Sequence, residues 1–307
     1  MASELVSSSP LQDFLDRIAG LDNAVGDART KQIVRRIVGD LFATIEAFDV
    51  SEDEFWAALN FLVEGAPEFG LWAPGLGFER FLDIRADLAD RKAGKGGGTP
   101  RTIEGPLYVA GAPLGEGHAR LDDGSEEGET LIMHGRVLDS HGAPIANAIV
   151  DVWHANRLGN YSYFDKSQAP YNLRRRIRTG AEGRYKFTSI LPSGYSVPPA
   201  GTTDRLLKAI GRHGNRPAHI HFFVSAPGYR YLTTQINIAD DPYVNDDFAY
   251  ATRDELITEA IRRDDPEAIG AEGLNTPFSE IAFDFVLAAA QSVQDEHASS
   301  RRRVPAL

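Results

Sequence analysis

The stretch KAGKGGGTP at positions 92–100 constrains this chain most, because apolar residues follow a helical period before it and a strand period after it. A segment so rich in glycine and so bare of apolar side chains has little to pack with and reads as a linker. Upstream, residues 11–62 carry apolar side chains at helical spacing, for example Ile33, Ile37, Leu41 and Ile45 with charges between them, which predicts three amphipathic helices. Ser51 followed by Glu52, Asp53 and Glu54 is an N-cap with an acidic first turn and predicts a helix through Asn60. Downstream, apolar residues alternate or form short runs at 131–138, 148–154, 185–190, 219–224, 232–238 and 281–287. Turn residues separate these runs, the pattern of a β-sandwich. One further helix is expected over 253–263, capped by Thr252, and a loose polar tail from Gln291. The expected fold is mainly β with a helical N-terminal domain: residues 1–91 helical, 92–100 linker, 101–290 a β-sandwich core, 291–307 a tail.

A chain of 307 residues, 42% of them hydrophobic, can bury a full core. Acidic residues outnumber basic ones by 44 to 32, for a formal charge of -12, the wrong sign for a surface that neutralises phosphates, so no nucleic-acid partner is expected. No apolar run approaches the roughly 20 residues of a membrane span, and MASELVSSSP at the start has neither the basic nor the apolar region of a secretion signal. A cytoplasmic protein without membrane insertion is expected. The absence of cysteine removes disulfides, thiolate metal sites and cysteine nucleophiles together. No Gly-x-Ser-x-Gly elbow occurs, and the glycines of 92–100 do not lead from a strand into a helix, which leaves no support for a serine nucleophile or a nucleotide loop.

Two histidines two apart in the run beginning at His219, His219 and His221, project from one face if that run is a strand, and can share a metal. They can equally be ordinary members of that strand. Tyr161, in GNYS after the strand of Trp153, and Tyr195, in LPSGY after Ile190, sit where strands run out. Each alone reads as a core or rim aromatic whose hydroxyl finds a local partner. As a set with the two histidines they form a nitrogen and phenolate donor group, which favours iron(III) over the ferrous ion of a two-histidine, one-carboxylate site. Two other classes stay open at this point: a zinc hydrolase using His219 and His221 with Asp240 or Asp241, and a β-sandwich binding module without chemistry.

The segments LGFERFLD, TPRTIEGPLYVAGAP, VDVWHAN, GNYSYFD, YNLRRRI, LPSGY, GRHGNRPAHIHFFVSAPGY, LTTQIN and DDFAYATRDEL, in this order, resemble the intradiol ring-cleavage dioxygenases over residues 71–285. The resemblance implies a non-haem iron(III) enzyme that opens an aromatic diol between its hydroxylated carbons with O2, a reaction of aromatic hydrocarbon catabolism. The members that act on plain catechol and give cis,cis-muconate are the nearest in pattern, with chlorocatechol or hydroxyquinol as alternative substrates. It further implies that Tyr161, Tyr195, His219 and His221 hold one iron per chain, and that Tyr195 leaves it when substrate binds and takes up a proton. Arg216 then stabilises the negative, ketonised substrate, and Gln235 positions the reacting intermediate. Leu71, Pro74, Ile103 and Ala251, with Arg216, are expected to line the ring site. The helical domain is expected to form a homodimer and to enclose an apolar tunnel that can take a phospholipid. Many of the members specific for catechol have glycine and cysteine after the second tyrosine, whereas this chain reads Tyr195-Ser196-Val197-Pro198-Pro199.

Overall fold

The computed structural model describes residues 5–94 and 96–297, and the chain divides into two compact units between Ala66 and Pro67. The first unit holds the expected helices, α1 (Ser9–Ile18), α2 (Ala28–Ala47) and α3 (Glu52–Gly65). Side-chain oxygens cap the second and third: Asp27 accepts from Thr30 N, and Ser51 and Glu54 form a reciprocal capping box. Arg35 of α2 ties the first two helices together through Asp16 and through Gln12 Oε1 at 2.8 Å. On α2, Ile37 and Leu41 are 55% and 57% exposed, so the described residues of this unit leave its apolar stripe largely uncovered.

The second unit begins with α4 (Phe69–Gly75) and α5 (Phe78–Lys92). Its strands follow in chain order: β1 (Leu114–Glu116), β2 (His118–Arg120), β3 (Thr130–Asp139), β4 (Ile149–His154), β5 (Arg174–Arg178), β6 (Arg184–Ile190), β7 (Tyr195–Ser196), β8 (Asn215–Arg216), β9 (His219–Ser225), β10 (Leu232–Ile238), β11 (Ile257–Thr258), β12 (Ile261–Arg263), β13 (Phe278–Ala282) and β14 (Phe285–Leu287). One sheet runs β1-β5-β4-β9-β10-β11, the other β12-β13-β3-β6-β2 with β14 also on β3, and β7 pairs with β8 as a separate ribbon. The sheets meet over an apolar core in which Ile220, Phe222 and Val224 of one face Phe187 and Phe285 of the other; the Phe222 and Phe285 rings lie 4.9 Å apart. This is the expected β-sandwich with a helical N-terminal region.

The glycine-rich stretch ends stitched to the sandwich: Thr99 N donates to Val286 O at 2.9 Å, and Val286 N donates to Thr99 Oγ1 at 2.8 Å. At Gly98, with φ +89°, a Cβ would stand 2.8 Å from Val286 O, so only glycine fits this close approach. Among the described residues no helix is long and apolar enough to cross a membrane.

Three expectations need correction. The helix expected over 253–263 is a 3-10 turn (Asp254–Leu256) followed by β11 and β12, because Ile257 and Thr258 pair in parallel with Asn237 and Ile238 of β10 and tertiary pairing overrides helical spacing. The run 281–287 is broken between β13 and β14 where Phe283 O accepts from the Tyr185 hydroxyl and Asp284 Oδ1 from Arg136 N. The first residues of the polar tail are docked, with Asp295 O accepting from Tyr231 N and the Glu296 carboxylate from Gly228 N; residues 298–307 lie outside the described residues.

A polar link crosses the sandwich. His154, fully buried at the end of β4, bonds Ser189 Oγ on β6 through Nε2 and Ala155 O through Nδ1, both at 2.7 Å. Burial holds its folded pKa down to about 4. Since an unfolded histidine protonates near 6.5, the unfolded chain alone takes this proton as pH falls from about 6.5 towards 4. This contribution to stability is complete above pH 6.5 and lost across that window, on the order of 3 kcal/mol in all. Urea unfolding at pH 7 and pH 4.5 should show a smaller acid loss in His154→Gln than in the unaltered protein; an equal loss would remove His154 from the account.

Candidate metal centre

The middle position of β9, between β4 and β10, determines the geometry. Strand alternation sends Ile220, Phe222 and Val224 into the sandwich core and turns His219 and His221 to the opposite face. There Trp153, the register partner of His221, stacks on its ring with centroids 4.9 Å apart and planes 4° from parallel. His219 is oriented differently: its Nδ1 donates to Pro217 O at 2.6 Å, which leaves Nε2 with its lone pair.

Tyr161 lies in the loop after β4, buried against Trp153 and Phe223. Tyr195 is on β7, cross-strand from Arg216 on β8, so this short ribbon sets a phenol beside a guanidinium. The two phenol rings meet edge to face at 5.6 Å and interact through their hydroxyls. Tyr161 is 3% exposed whereas Tyr195 is only partly buried.

His219 Nε2 is 3.1 Å from His221 Nε2 and 3.4 Å from the Tyr161 hydroxyl. Donor atoms about 3 Å apart are what ligands of one ion at about 2.1 Å present. Both histidines are neutral donors: burial first, and then the Arg216 charge, holds His219 down to about 3. Burial and the neighbouring His219 hold His221 well below its usual value. Burial also pushes Tyr161 well above the ordinary phenol range, so its ionisation there requires a cation alongside. Among the described residues no group of three or more histidines, cysteines and carboxylates is placed to hold a metal. A cation at this point therefore depends on phenol oxygen. This corrects the zinc reading with Asp240 or Asp241, since Asp241 is occupied by the backbone amides of Ala218 and Tyr243.

Arg216 is the hub of a buried network. It donates from Nε and Nη2 to Asp247 at 3.1 and 3.0 Å, from Nη2 to Gln235 Oε1 at 2.9 Å, and from Nη1 to His219 Nε2 at 2.9 Å. Burial pushes the Asp247 carboxyl up, but the Arg216 charge and hydrogen bonds outweigh it and hold the group below the usual carboxylate range. Gln235 is fully buried, donates to Asn237 Oδ1 at 3.1 Å and does not line the cavity.

That cavity has a volume of about 410 Å³, and Tyr161, Tyr195 and Arg216 sit on its wall with Leu71, Pro74, Ile103, Phe248 and Ala249. Ala251, expected on the wall, is not on it: it is fully buried behind Ile103 and Phe248, and its carbonyl accepts from Thr102 Oγ1. A larger cavity of about 560 Å³ beside α5 is lined by charged groups such as Asp83, Arg101 and Arg253 and reaches none of the four donor residues. Sequence reasoning missed Trp153 as the stacking partner of His221 and Asp247 as the partner of Arg216; VDVWHAN and DDFAY contained both, but nothing local marks which side chain turns inward.

A family model described as "Dioxygenase" matches residues 103–289, and one described as "Catechol dioxygenase N terminus" matches residues 27–94. "Catechol 1,2-dioxygenase 2" of Acinetobacter lwoffii is 67% identical over 77% of this chain and 87% of its own. The crystal structure of catechol 1,2-dioxygenase from Pseudomonas arvilla C-1 superposes with a TM-score of 0.94 at 51% identity, covering 98% of this chain and 99% of that one. A hydroxyquinol 1,2-dioxygenase of Rhizobium sp. (strain MTP-10005) is more distant, 35% identical over 85% of this chain and 90% of its own. With both domain models matched in order and a solved relative superposing over nearly the whole length, the chain belongs to the intradiol ring-cleavage dioxygenase family.

Proposed function

We propose that this enzyme opens catechol with O2 between its two hydroxyl-bearing carbons to give cis,cis-muconate, at an iron(III) centre held by Tyr161, Tyr195, His219 and His221. The observation that carries the reading is the convergence of two neutral imidazole Nε2 atoms and a buried phenol within 3.1 to 3.4 Å, the phenol lying on the wall of an apolar cavity that an arginine also lines. The greater likeness to enzymes named for catechol than to one named for hydroxyquinol supports the choice of substrate.

Bound iron(III) supplies the Lewis acidity and one-electron chemistry that let a catechol ring react with oxygen. The chain's own groups do the rest. Leu71, Pro74, Ile103 and Phe248 seat the ring and exclude water. Tyr195, the less buried of the two phenols and the one on the separate ribbon, would hold the metal as a phenolate and, in that form, could take the proton of a catechol hydroxyl and become a phenol. Arg216, locked by Asp247 and Gln235, presents a fixed positive charge to the oxyanion that develops as the ring is attacked. Gln235 acts through Arg216, as a positioning residue. Turnover with isotopically labelled oxygen tests the reaction: both atoms of the label in muconate are expected, and a product labelled from water alone would exclude it.

The two tyrosine loops touch at Gly159, where φ is +79° and a Cβ would stand 2.6 Å from Tyr195 Cβ. Gly159→Ala must displace Tyr195, and a displacement of about 1 Å at a reacting group costs on the order of a hundredfold in rate. A turnover assay that finds more than half the activity would show that the loops do not set Tyr195.

We also propose a homodimer through the N-terminal helices, supported by the uncovered apolar stripe of α2. Sedimentation should give a dimer that Ile37→Asp with Leu41→Asp breaks into monomers. A monomeric unaltered protein carrying phospholipid would mean that lipid covers this face instead.

A further inference from the structure

The YNLRRRI segment contributes a buried cation that the reaction described so far does not use. Arg174, at the start of β5, is 2% exposed. Its side-chain hydrogen bonds go to Ser162, the residue after Tyr161, rather than to a carboxylate: Nε to Ser162 Oγ at 2.9 Å and Nη2 to Ser162 O at 3.1 Å. Ser162 Oγ in turn donates to Asn172 O at 2.6 Å, closing the loop on itself. The guanidinium carbon lies 5.8 Å from the centre of the Tyr161 ring, and Nη1 is buried with no hydrogen-bond partner. Across the ladder Arg174 pairs in register with Trp153, which stacks on His221.

The backbone between Tyr161 and Arg174 is held in costly conformations, with Tyr163, Tyr171 and Leu173 at φ of 77°, 57° and 57°. Left-handed non-glycine residues persist where surrounding contacts over-determine them, and they concentrate at functional sites. A guanidinium stripped of water, with Asp151 near it but no carboxylate hydrogen-bonded to it, is also expensive to bury. The fold maintains both beside one phenol.

We infer that Arg174 is a positioning residue for Tyr161: its forked hydrogen bonds fix the turn that carries the phenol, and its charge draws electron density from the ring. The inference rests on Tyr161 being an iron ligand. A cation at the ring face lowers the energy of the phenolate electrons, which sets how readily they pass to the metal and hence the colour of the site.

The test compares visible spectra of the unaltered protein, Arg174→Met, Arg174→Lys and Ser162→Ala, each loaded with iron(III) and with bound iron counted. Loss of a unit charge at this separation, at an effective dielectric of about 20, is expected to move the band of Arg174→Met roughly 20 nm to longer wavelength. Arg174→Lys restores it towards its original position, a rescue that a purely structural role does not give. Ser162→Ala, which keeps the guanidinium and its bond to the backbone carbonyl at 162 but removes the hydroxyl anchor, is expected to shift the band less in the same direction and serves if Arg174→Met does not fold. An unmoved band in Arg174→Met, or in Ser162→Ala where the methionine variant fails to fold, or an equal shift in Arg174→Lys, overturns the inference. Absence of any phenolate band in the unaltered, iron-loaded protein would instead overturn the ligand role of Tyr161.

Discussion

Replacing Arg216 by leucine is expected to lower kcat/KM about a thousandfold, the scale of losing one preorganised group aimed at developing charge, and to weaken the fold as well. The second effect follows from the surroundings of the guanidinium. Its partner Asp247 has a side chain only 1% exposed, and Arg216 is its buried counter-charge. Breaking such a pair from one side costs about 3 to 5 kcal/mol, because the remaining charge stays buried and unpaired. Removing that charge too, in Arg216→Leu with Asp247→Asn, should recover most of the stability, since both members of the pair are then neutral. Activity should not recover, because the positive charge facing the cavity is still missing. Thermal melts and steady-state kinetics on both variants separate the roles. A double variant that regains activity along with stability would reduce Arg216 to a structural ion pair.

Tyr161→Phe is expected to lose activity by more than a hundredfold and to lose its phenolate colour while folding normally. Changes in groups that merely support a ligand already cost 10- to 100-fold, so loss of a ligand itself should exceed that range. Stability is a different matter. The hydroxyl is buried, and its contacts are the long one with His219 Nε2 at 3.4 Å and the one with the Tyr195 hydroxyl, so deleting it removes two weak hydrogen bonds worth about 1 kcal/mol each or less. The phenyl ring still fills its place against Trp153 and Phe223. A thermal melt within a few degrees of the original, beside lost turnover and colour, is the expected combination. A fully active Tyr161→Phe would remove the residue from the metal site.

These outcomes depend on features that were unequally visible in the sequence. The capped N-terminal helices and the long strands follow from apolar period and local caps, and they appear where the pattern put them, as in the capping box of Ser51 and Glu54. Features created by distant partners did not register. The helix Thr202–Ala209 has no local cap: Glu68, far away in sequence, accepts from the amides of Thr202 and Thr203 at 3.1 and 2.8 Å. Strands β11 and β12 lie in a stretch with helical spacing, and only pairing with β10 and β13 makes them extended. At the site, the His-x-His spacing announced two donors on one strand face, and the motif series supplied the tyrosines. That Asp247 rather than its neighbour Asp246 locks Arg216 depends on which carboxylate the loop turns inward, which sequence spacing does not encode. The same holds for Ala249, which lines the cavity, against Ala251, which lies behind it.

The most direct test of an iron(III) centre with two tyrosine ligands is the visible absorption spectrum of the purified protein, recorded before and after catechol is added without oxygen. The account predicts a broad phenolate-to-iron(III) band that moves to longer wavelength when catechol binds. A protein that stays colourless after iron(III) is supplied, or whose band ignores catechol, would contradict it.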